Sequence, residues 1–427
     1  MSSSPDLDKG AANQSGVALH GVDASGVGKG SASQPERPKL LFVAAFPPPA
    51  SRIFGGNVRD CQLLMASDFS SRFQLATIDS TQRSNPAPGL GTRCWIACAR
   101  ATRYLVTLAT FRPDAVCLFA SSGFSLLEKS LMALVARWLG SQSLIFPRGG
   151  AVMDTARRSR LHQWLYRRLI RCASYMLCMG PTWHRFAVTE MGIDRKRAPI
   201  VNSWSATDRL LRIGVSRFEA APSERASVQM IFLGSLEEGK GVLELIEACR
   251  RLSCDGFDFR LVVGGRGRAE LAARALVAKH SLEERVTFVG WVEGPQLDTL
   301  WRSSHVFVLP SWTEGFPNAL IEAMACGLAV VTTPVGSIPD YLEDGVHGVF
   351  VRPKDPAALA EALRLLLAEP QLRQQLGLRA HELARDVFGT KVATNRFADV
   401  IMETLTGSVN SIYDRCPARQ GHDQPLA

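Results

Sequence analysis

The stretch Glu314-Gly-Phe-Pro-Asn-Ala-Leu-Ile-Glu322-Ala-Met-Ala-Cys-Gly327 follows directly on the apolar run Val306-Phe-Val-Leu-Pro310. A buried strand such as His305 to Leu309, a short loop, and a helix with Pro317 near its first turn leave unpaired backbone N–H groups aimed out of a sheet edge. Such an end attracts a phosphate. Glu314 falls in the loop and Glu322 about one turn into the helix, so at roughly 1.5 Å of rise per residue the two carboxylates flank a ligand whose diphosphate rests between them. A carboxylate beside a phosphate is unfavourable unless it accepts hydrogen bonds from neutral hydroxyls, and a nucleotide-sugar offers hydroxyls at both ends.

Working outward, the chain alternates strand and helix patterns twice. The first series has strand candidates at Leu40 to Ala45, Phe73 to Thr77, Ala115 to Phe119, Leu144 to Phe146 and Tyr175 to Cys178, with helical spacing from Val58 to Met65. The second has them at Gln229 to Leu233, Arg260 to Val263, Val286 to Val289, His305 to Leu309, Ala329 to Thr332 and Gly348 to Val351. Strands separated by helices predict doubly wound parallel sheets. The expected fold is therefore α/β, with two Rossmann-like domains over residues 37–217 and 218–388. Asp208 to Ser227, which holds Pro222, reads as the linker. Residues 1–36, rich in Ser, Gly and Ala and without apolar periodicity, read as a disordered tail, and 408–427 as a second tail.

The pattern Glu-x7-Glu, continued by Ala-Met-Ala-Cys-Gly327, the strand Leu328 to Thr332 and Pro334-Val-Gly-Ser-Ile-Pro-Asp340, resembles the retaining glycosyltransferases of family 4, which have the GT-B fold. The resemblance covers roughly residues 38 to 405 and is strongest from Met230 to Val351. It implies transfer of a sugar from a nucleoside diphosphate to a hydroxyl acceptor without a metal or other cofactor. It places the donor on the second domain and the acceptor on the first. It also implies that residues 389–407, whose Val392, Phe397, Val400, Ile401 and Leu405 have helical spacing, form a helix crossing back to the first domain.

Other motifs fall into this frame. The strand ending at Leu233 runs into Gly234-Ser-Leu-Glu-Glu-Gly-Lys240-Gly241, and a lysine after a glycine turn at a strand's carboxyl end reaches a diphosphate as a point charge. Family members carry an arginine where this chain has Ser235, which leaves Lys240 as the main cation. Gly55-Gly56 after the first strand resembles the glycine loop that lets backbone approach the donor phosphates. In Leu144-Ile-Phe-Pro-Arg148-Gly-Gly150, Arg148 stands where many members have a histidine near the reacting sugar. An arginine cannot serve as a base there, but it stabilises negative charge. The expected catalytic set is Glu314, Lys240 and Arg148, and the expected donor site is Gly56, Ser235, Lys240, Gly315, Phe316, Asn318, Ala319, Leu320 and Glu322. Val263-Gly-Gly-Arg-Gly267 lacks the full dinucleotide fingerprint and reads as a strand-to-helix turn, lining the nucleotide pocket along with the turn Phe288 to Trp291. No Asp-x-Asp motif occurs between residues 37 and 407, which argues against a metal-dependent transferase. The departures at Ser235 and Arg148 leave open a catalytically silent sugar-nucleotide binding protein, or a phosphorylase or epimerase on the same architecture.

Composition bounds the remaining classes. With 427 residues and 46% hydrophobic content the chain holds two full cores. No apolar stretch approaches the 18 or so residues of a membrane span, and the N-terminus lacks a signal-peptide core, so the expected location is the cytoplasm. The ten cysteines include no Cys-x2-Cys pair. The net charge of +9 is unevenly divided: residues 37–217 carry 26 Lys and Arg against 9 Asp and Glu, residues 218–427 carry 21 against 27. No recognisable nucleic-acid module accompanies the basic half. Within it, residues 157–171 place Leu161, Trp164, Leu165 and Leu169 on one stripe among arginines 157, 158, 167 and 168, the pattern of a helix lying on anionic lipid or of one packing its stripe on the sheet and solvating its arginines. The expected partners are thus a nucleotide-sugar, a glycan or lipid-linked glycan acceptor, and anionic inner-leaflet lipid.

Overall fold

The computed structural model describes residues 36–47, 55–81, 89–219 and 227–408. The two expected tails, apart from residues 36 and 408, lie outside these, as do the Pro-rich segment after the first strand and Pro222.

Two parallel sheets form the framework. The first has β1 (Lys39–Ala44), β2 (Gln74–Asp79), β3 (Ala115–Ala120), β4 (Gln142–Pro147) and β5 (Tyr175–Met176) in the order β2-β1-β3-β4-β5. The second has β6 (Val228–Leu233), β7 (Phe259–Gly264), β8 (Val286–Gly290), β9 (Val306–Leu309), β10 (Ala329–Thr332) and β11 (Val349–Phe350) in the order β11-β10-β9-β6-β7-β8. Every strand pair is parallel. A parallel sheet needs helical crossovers on its faces, so its strands read as continuous apolar runs; β3 and β9 are buried at every residue. Strand order reverses at β1 in one sheet and between β6 and β9 in the other, and ligands of open α/β sheets bind outside the carboxyl ends at such points.

Of the linker expected at Asp208 to Ser227, residues 220–226 lie outside the described ones and the first part is helical. Asp208–Glu219 is a helix whose Leu210 and Ile213 are buried in the core of the second sheet. Leu210, Ile213 and Gly214 are buried along this helix, and Arg217 donates to the carbonyls of Cys326 and Trp301 at 2.9 and 2.6 Å. The apolar positions recur at helical spacing.

Near its far end the chain passes from one core to the other within two residues. Helix Pro370–Phe388 packs Leu376, Ala380, Ala384 and Phe388 into the second core. Helix Thr390–Thr406 buries Ala393, Phe397, Val400 and Ile401 in the first, where Phe397 stacks on Trp204 at 5.3 Å and on Phe69 at 5.2 Å. Two strands of chain make this passage side by side. Ala206 N donates to Phe388 O at 3.1 Å and Thr390 N to Ala206 O at 3.0 Å.

The segment 157–171 is two helices rather than one. Ala151–Arg157 ends, and Arg160–Ile170 starts at Ser159, whose hydroxyl accepts from His162 N at 3.3 Å. Its buried side is Tyr166 and Ile170, while Leu161 (70%), Trp164 (55%) and Leu165 (42%) are exposed. The neighbouring helix Phe124–Trp138 leaves Phe124, Leu127, Leu131 and Trp138 exposed as well. Among the described residues no helix is long and apolar enough to cross a membrane.

Candidate active site

β9 delivers the chain to a loop at Ser311–Pro317 and then to helix Asn318–Ala325. Pro317 takes the position before the first helical residue. Its carbonyl accepts from Leu320 N at 3.1 Å, and the N–H groups of Asn318 and Ala319 have no acceptor among the described residues. These two donors are the free end of the helix, where the dipole favours an anion.

Glu314 is only 7% exposed. Its Oε1 accepts from Lys240 Nζ at 2.6 Å and from Ser311 Oγ at 2.7 Å. Lys240 closes the turn Glu238–Lys240 at the end of the β6 loop, and the next residue, Gly241, has φ +74°. A Cβ there would lie 2.2 Å from the carbonyl oxygen of Pro310, so only glycine lets this turn close against the β9 loop and bring lysine to glutamate.

Glu322, one turn into the helix, is 5% exposed and meets Arg59 Nη1 at 3.1 Å. Burial pushes its carboxyl up to about 7, with Arg59 opposing the shift and Asp60 adding to it. The folded chain thus holds this proton at pH values where an unfolded glutamate has lost it. The stability it contributes is complete below the unfolded value and is lost as pH rises through about 7.

Behind the helix start lies a buried polar cluster. Asp60, fully buried on helix Gly56–Ala66, pairs with Arg148 and accepts from Asn318 Nδ2 at 2.8 Å and Ser205 Oγ at 3.2 Å. The Arg148 guanidinium lies between the rings of Phe146, Phe119 and Trp204, at 5.0, 5.4 and 5.5 Å from their centroids. Both strand-end loops meet here. A Cβ on Gly150 would sit 2.4 Å from Glu314 O, so the first sheet's loop touches the Glu314 loop backbone to backbone.

Gly56, Arg148, Ser235, Lys240, Glu314, Gly315, Phe316, Asn318, Ala319 and Glu322 all line one cleft of 1220 Å³. One expected donor residue falls outside it, and two that line it are engaged with other groups. Leu320 does not line it: its side chain is wholly buried in the second core and its N–H is taken by Pro317. Phe316 offers the cleft no ring, because that ring stacks on Phe388 at 4.9 Å and packs against Tyr341 at 5.2 Å. Arg148 is at the cleft wall, but its charge is spent on Asp60 within an aromatic cage. A buried guanidinium without a carboxylate is too costly to leave free for a ligand.

Sequence reasoning missed Arg59 and Asp60, and had Arg266 only as part of a turn lining the nucleotide pocket. Asp60 had a signal: it interrupts the apolar face of Val58, Cys61 and Leu64, where a charge persists only if paired. Arg59 had none, since it gains meaning from a helix distant in sequence. The turn at Trp291 also reaches the cleft. No cluster of three or more His, Cys, Asp or Glu side chains suited to a metal occurs among the described residues.

The chain is similar in sequence and in fold to known proteins. Residues 218–383 match the model of the group 1 glycosyl transferases. A glycosyltransferase of Salmonella typhimurium whose name assigns it to colanic acid biosynthesis is 32% identical over 215 residues, 46% of this chain and 48% of that protein. The amylovoran biosynthesis glycosyltransferase AmsK of Erwinia amylovora is 32% identical over 181 residues, 41% of this chain and 44% of that protein. The chain thus aligns with about half the length of these curated relatives. Among solved structures, sucrose-phosphate synthase of Thermosynechococcus elongatus superposes with TM-score 0.69 at 17% identity, over 87% of this chain and 100% of that one. Anabaena Alr3699/HepE, solved with UDP-glucose, gives 0.64 at 16% identity over 86% and 100%. Residues 218–383 thus carry the sequence pattern of the group 1 glycosyl transferases, and the chain has the GT-B fold, two Rossmann-like domains facing each other across a cleft.

Proposed function

We propose that the protein is a retaining, metal-independent glycosyltransferase that moves a sugar from a nucleoside diphosphate to a hydroxyl of a growing surface polysaccharide. Lys240 held on Glu314 beside the two free N–H groups of Asn318 and Ala319 carries this reading. An arriving diphosphate competes with Glu314 for Lys240 and accepts from the helix N–H groups. Glu314, released, takes hydroxyls of the donor sugar, and Glu322 takes those of the ribose. Gly56 and Ser235 border the phosphates without bulk, while Gly315 and Phe316 contribute backbone.

The reaction is a front-face departure. The bond from the anomeric carbon to the diphosphate oxygen breaks with both electrons on the phosphate, and the acceptor oxygen bonds to the same face of that carbon. The departing phosphate takes the acceptor's proton. Lys240 and the helix end stabilise the charge as it develops. The names of the relatives in colanic acid and amylovoran biosynthesis support a surface-polysaccharide acceptor.

The test is nucleoside diphosphate release from a panel of UDP-, GDP- and dTDP-sugars with a polysaccharide-repeat acceptor in EDTA, with the anomeric configuration of the product read by NMR. Inversion, or a metal requirement, overturns the mechanism. Phosphate-dependent cleavage or donor isomerisation without acceptor assigns a phosphorylase or an epimerase instead.

Glu322 sets a pH dependence. Because its carboxyl ionises near 7 in the empty site, and the ionised form is the better acceptor for ribose hydroxyls, donor affinity is expected to rise from pH 6 to pH 8. Calorimetric titration across that range checks it; Glu322→Gln should flatten the profile, and an unchanged slope in that variant would assign the dependence elsewhere.

The acceptor in this reading is lipid-linked and met at the inner face of the plasma membrane, to which the cytoplasmic protein attaches peripherally. The exposed Trp138 and Trp164, on neighbouring helices, supply apolar insertion, and the excess of cations over residues 37–217 supplies attraction to anionic lipid. Arg157 contributes less than its place in the sequence suggested, since Glu190 neutralises it. Binding to vesicles containing phosphatidylglycerol should fall with salt, and Trp138→Ser with Trp164→Ser should weaken it about tenfold. Equal partitioning to neutral and anionic vesicles would overturn the electrostatic part.

A further inference from the structure

Five cations line the cleft, and four are already matched. Arg59 lies on Glu322, Arg148 on Asp60, Arg209 on Asp298 and Lys240 on Glu314. Arg266 is exposed and has no ion-pair partner among the described residues. A dianion entering this cleft therefore meets one unneutralised positive side chain, and every other cation must first be taken from a carboxylate.

The position of Arg266 makes this useful. It follows β7, in the loop that lies directly on the β6 loop. Leu236 N donates to Arg266 O at 2.9 Å, Gly234 N donates to Gly264 O at 3.1 Å, and a Cβ on Gly265 would fall 1.8 Å from Gly234 O. The Arg266 guanidinium rests over Gly290, at the end of β8, where Nε and Nη2 are 3.8 and 3.9 Å from the place a Cβ would occupy. The side chain thus springs from the carboxyl edge of the sheet beside Ser235, on the side of the β6–β9 strand-order reversal where a nucleotide is expected.

We infer that Arg266 is a donor-binding residue that takes the diphosphate, supplying from the β7 loop the second cation that Ser235 does not supply from the β6 loop. This rests on the donor reading above. A planar guanidinium with five donors suits two phosphate oxygens at once, whereas Lys240 meets them as a point charge. The division of labour follows from the pairing. Arg266, free before the ligand arrives, governs capture of the diphosphate; Lys240, bound to Glu314 until then, acts as the leaving group departs.

Isothermal titration of wild type, Arg266→Ala, Arg266→Lys and the double variant Arg266→Ala with Ser235→Arg tests this. The probes are UDP, GDP and dTDP, the matching nucleosides, and inorganic pyrophosphate. For the nucleoside diphosphate that wild type binds, Arg266→Ala should raise Kd about ten- to hundredfold. Pyrophosphate binding should fall in parallel and nucleoside binding should not change. Arg266→Lys should be intermediate, and the added Ser235→Arg should restore affinity from the adjacent loop. Unliganded melting temperatures should match, because the side chain holds nothing in place. Equal diphosphate affinity in wild type and Arg266→Ala overturns the inference while leaving the donor reading intact. An equal loss for nucleoside and diphosphate also overturns it, since it would put the guanidinium on the base. Failure of wild type to bind any of the three diphosphates would overturn the donor reading itself.

Discussion

Lys240→Ala should lower turnover at saturating donor by roughly 10²- to 10³-fold, the usual effect of removing one preorganised donor from a site of developing negative charge. Two things are lost together. The departing diphosphate loses its lysine, and Glu314, 7% exposed and hydrogen-bonded to Lys240 at 2.6 Å, keeps a charge whose partner is gone. Glu314→Gln separates these effects: it retains a hydrogen-bonding group for the donor sugar and frees Lys240, so donor binding should persist while turnover falls less than in Lys240→Ala. Stopped-time assays at saturating nucleotide-sugar give both numbers. Full rate in Lys240→Ala would remove the leaving-group role.

Asp60→Ala should destabilise the fold by about 3–5 kcal/mol, a large share of a typical domain's stability. Asp60 is wholly buried and is the carboxylate against Arg148, which is only 5% exposed and closed in by Phe146, Phe119 and Trp204. Truncation strands the guanidinium and removes the acceptor for Asn318 Nδ2 and Ser205 Oγ. Replacing both partners, Asp60→Leu with Arg148→Met, should recover much of the loss, because an apolar pair in an apolar pocket strands no charge. Urea denaturation of the two variants measures this, and a single variant as stable as wild type would show that the pair is worth nothing in place. The double variant should still have impaired activity, since Asn318, at the free helix end, loses the shorter of its two bonds to helix Gly56–Ala66 and keeps only that to Gly56 O at 3.4 Å.

The elements that were legible in the chain are those whose identity depends on near neighbours. β9, its loop and helix Asn318–Ala325 could be read from Val306 to Gly327 because a continuous apolar run, a proline and a helical stretch follow one another directly. Phe397, Val400 and Ile401 had their helical period, while their target in the first core came from the family resemblance and not from the period. Where two local signals competed, the wrong one was weighted: Pro222 made the stretch from Asp208 look like a linker, whereas its Leu210 and Ile213 recur at helical spacing. Leu320 was assigned to the ligand because it sits in the decisive motif. The turn of the helix instead aims it at the core, while Asn318, Ala319 and Glu322 line the cleft.

The sequence alone determined the α/β alternation, the two open sheets and the pair Glu314 and Glu322, since period and spacing are properties of consecutive residues. The tertiary structure decided which charges are free. Arg148, Arg59, Lys240 and Arg266 are indistinguishable as cations in a string of letters, and the difference between a caged counterion, a held lysine and an open arginine is set by carboxylates 74 to 263 positions away or by their absence among the described residues. Charge is neutralised by proximity in space, and burial, which fixes what an unpaired charge costs, exists only once the chain has packed.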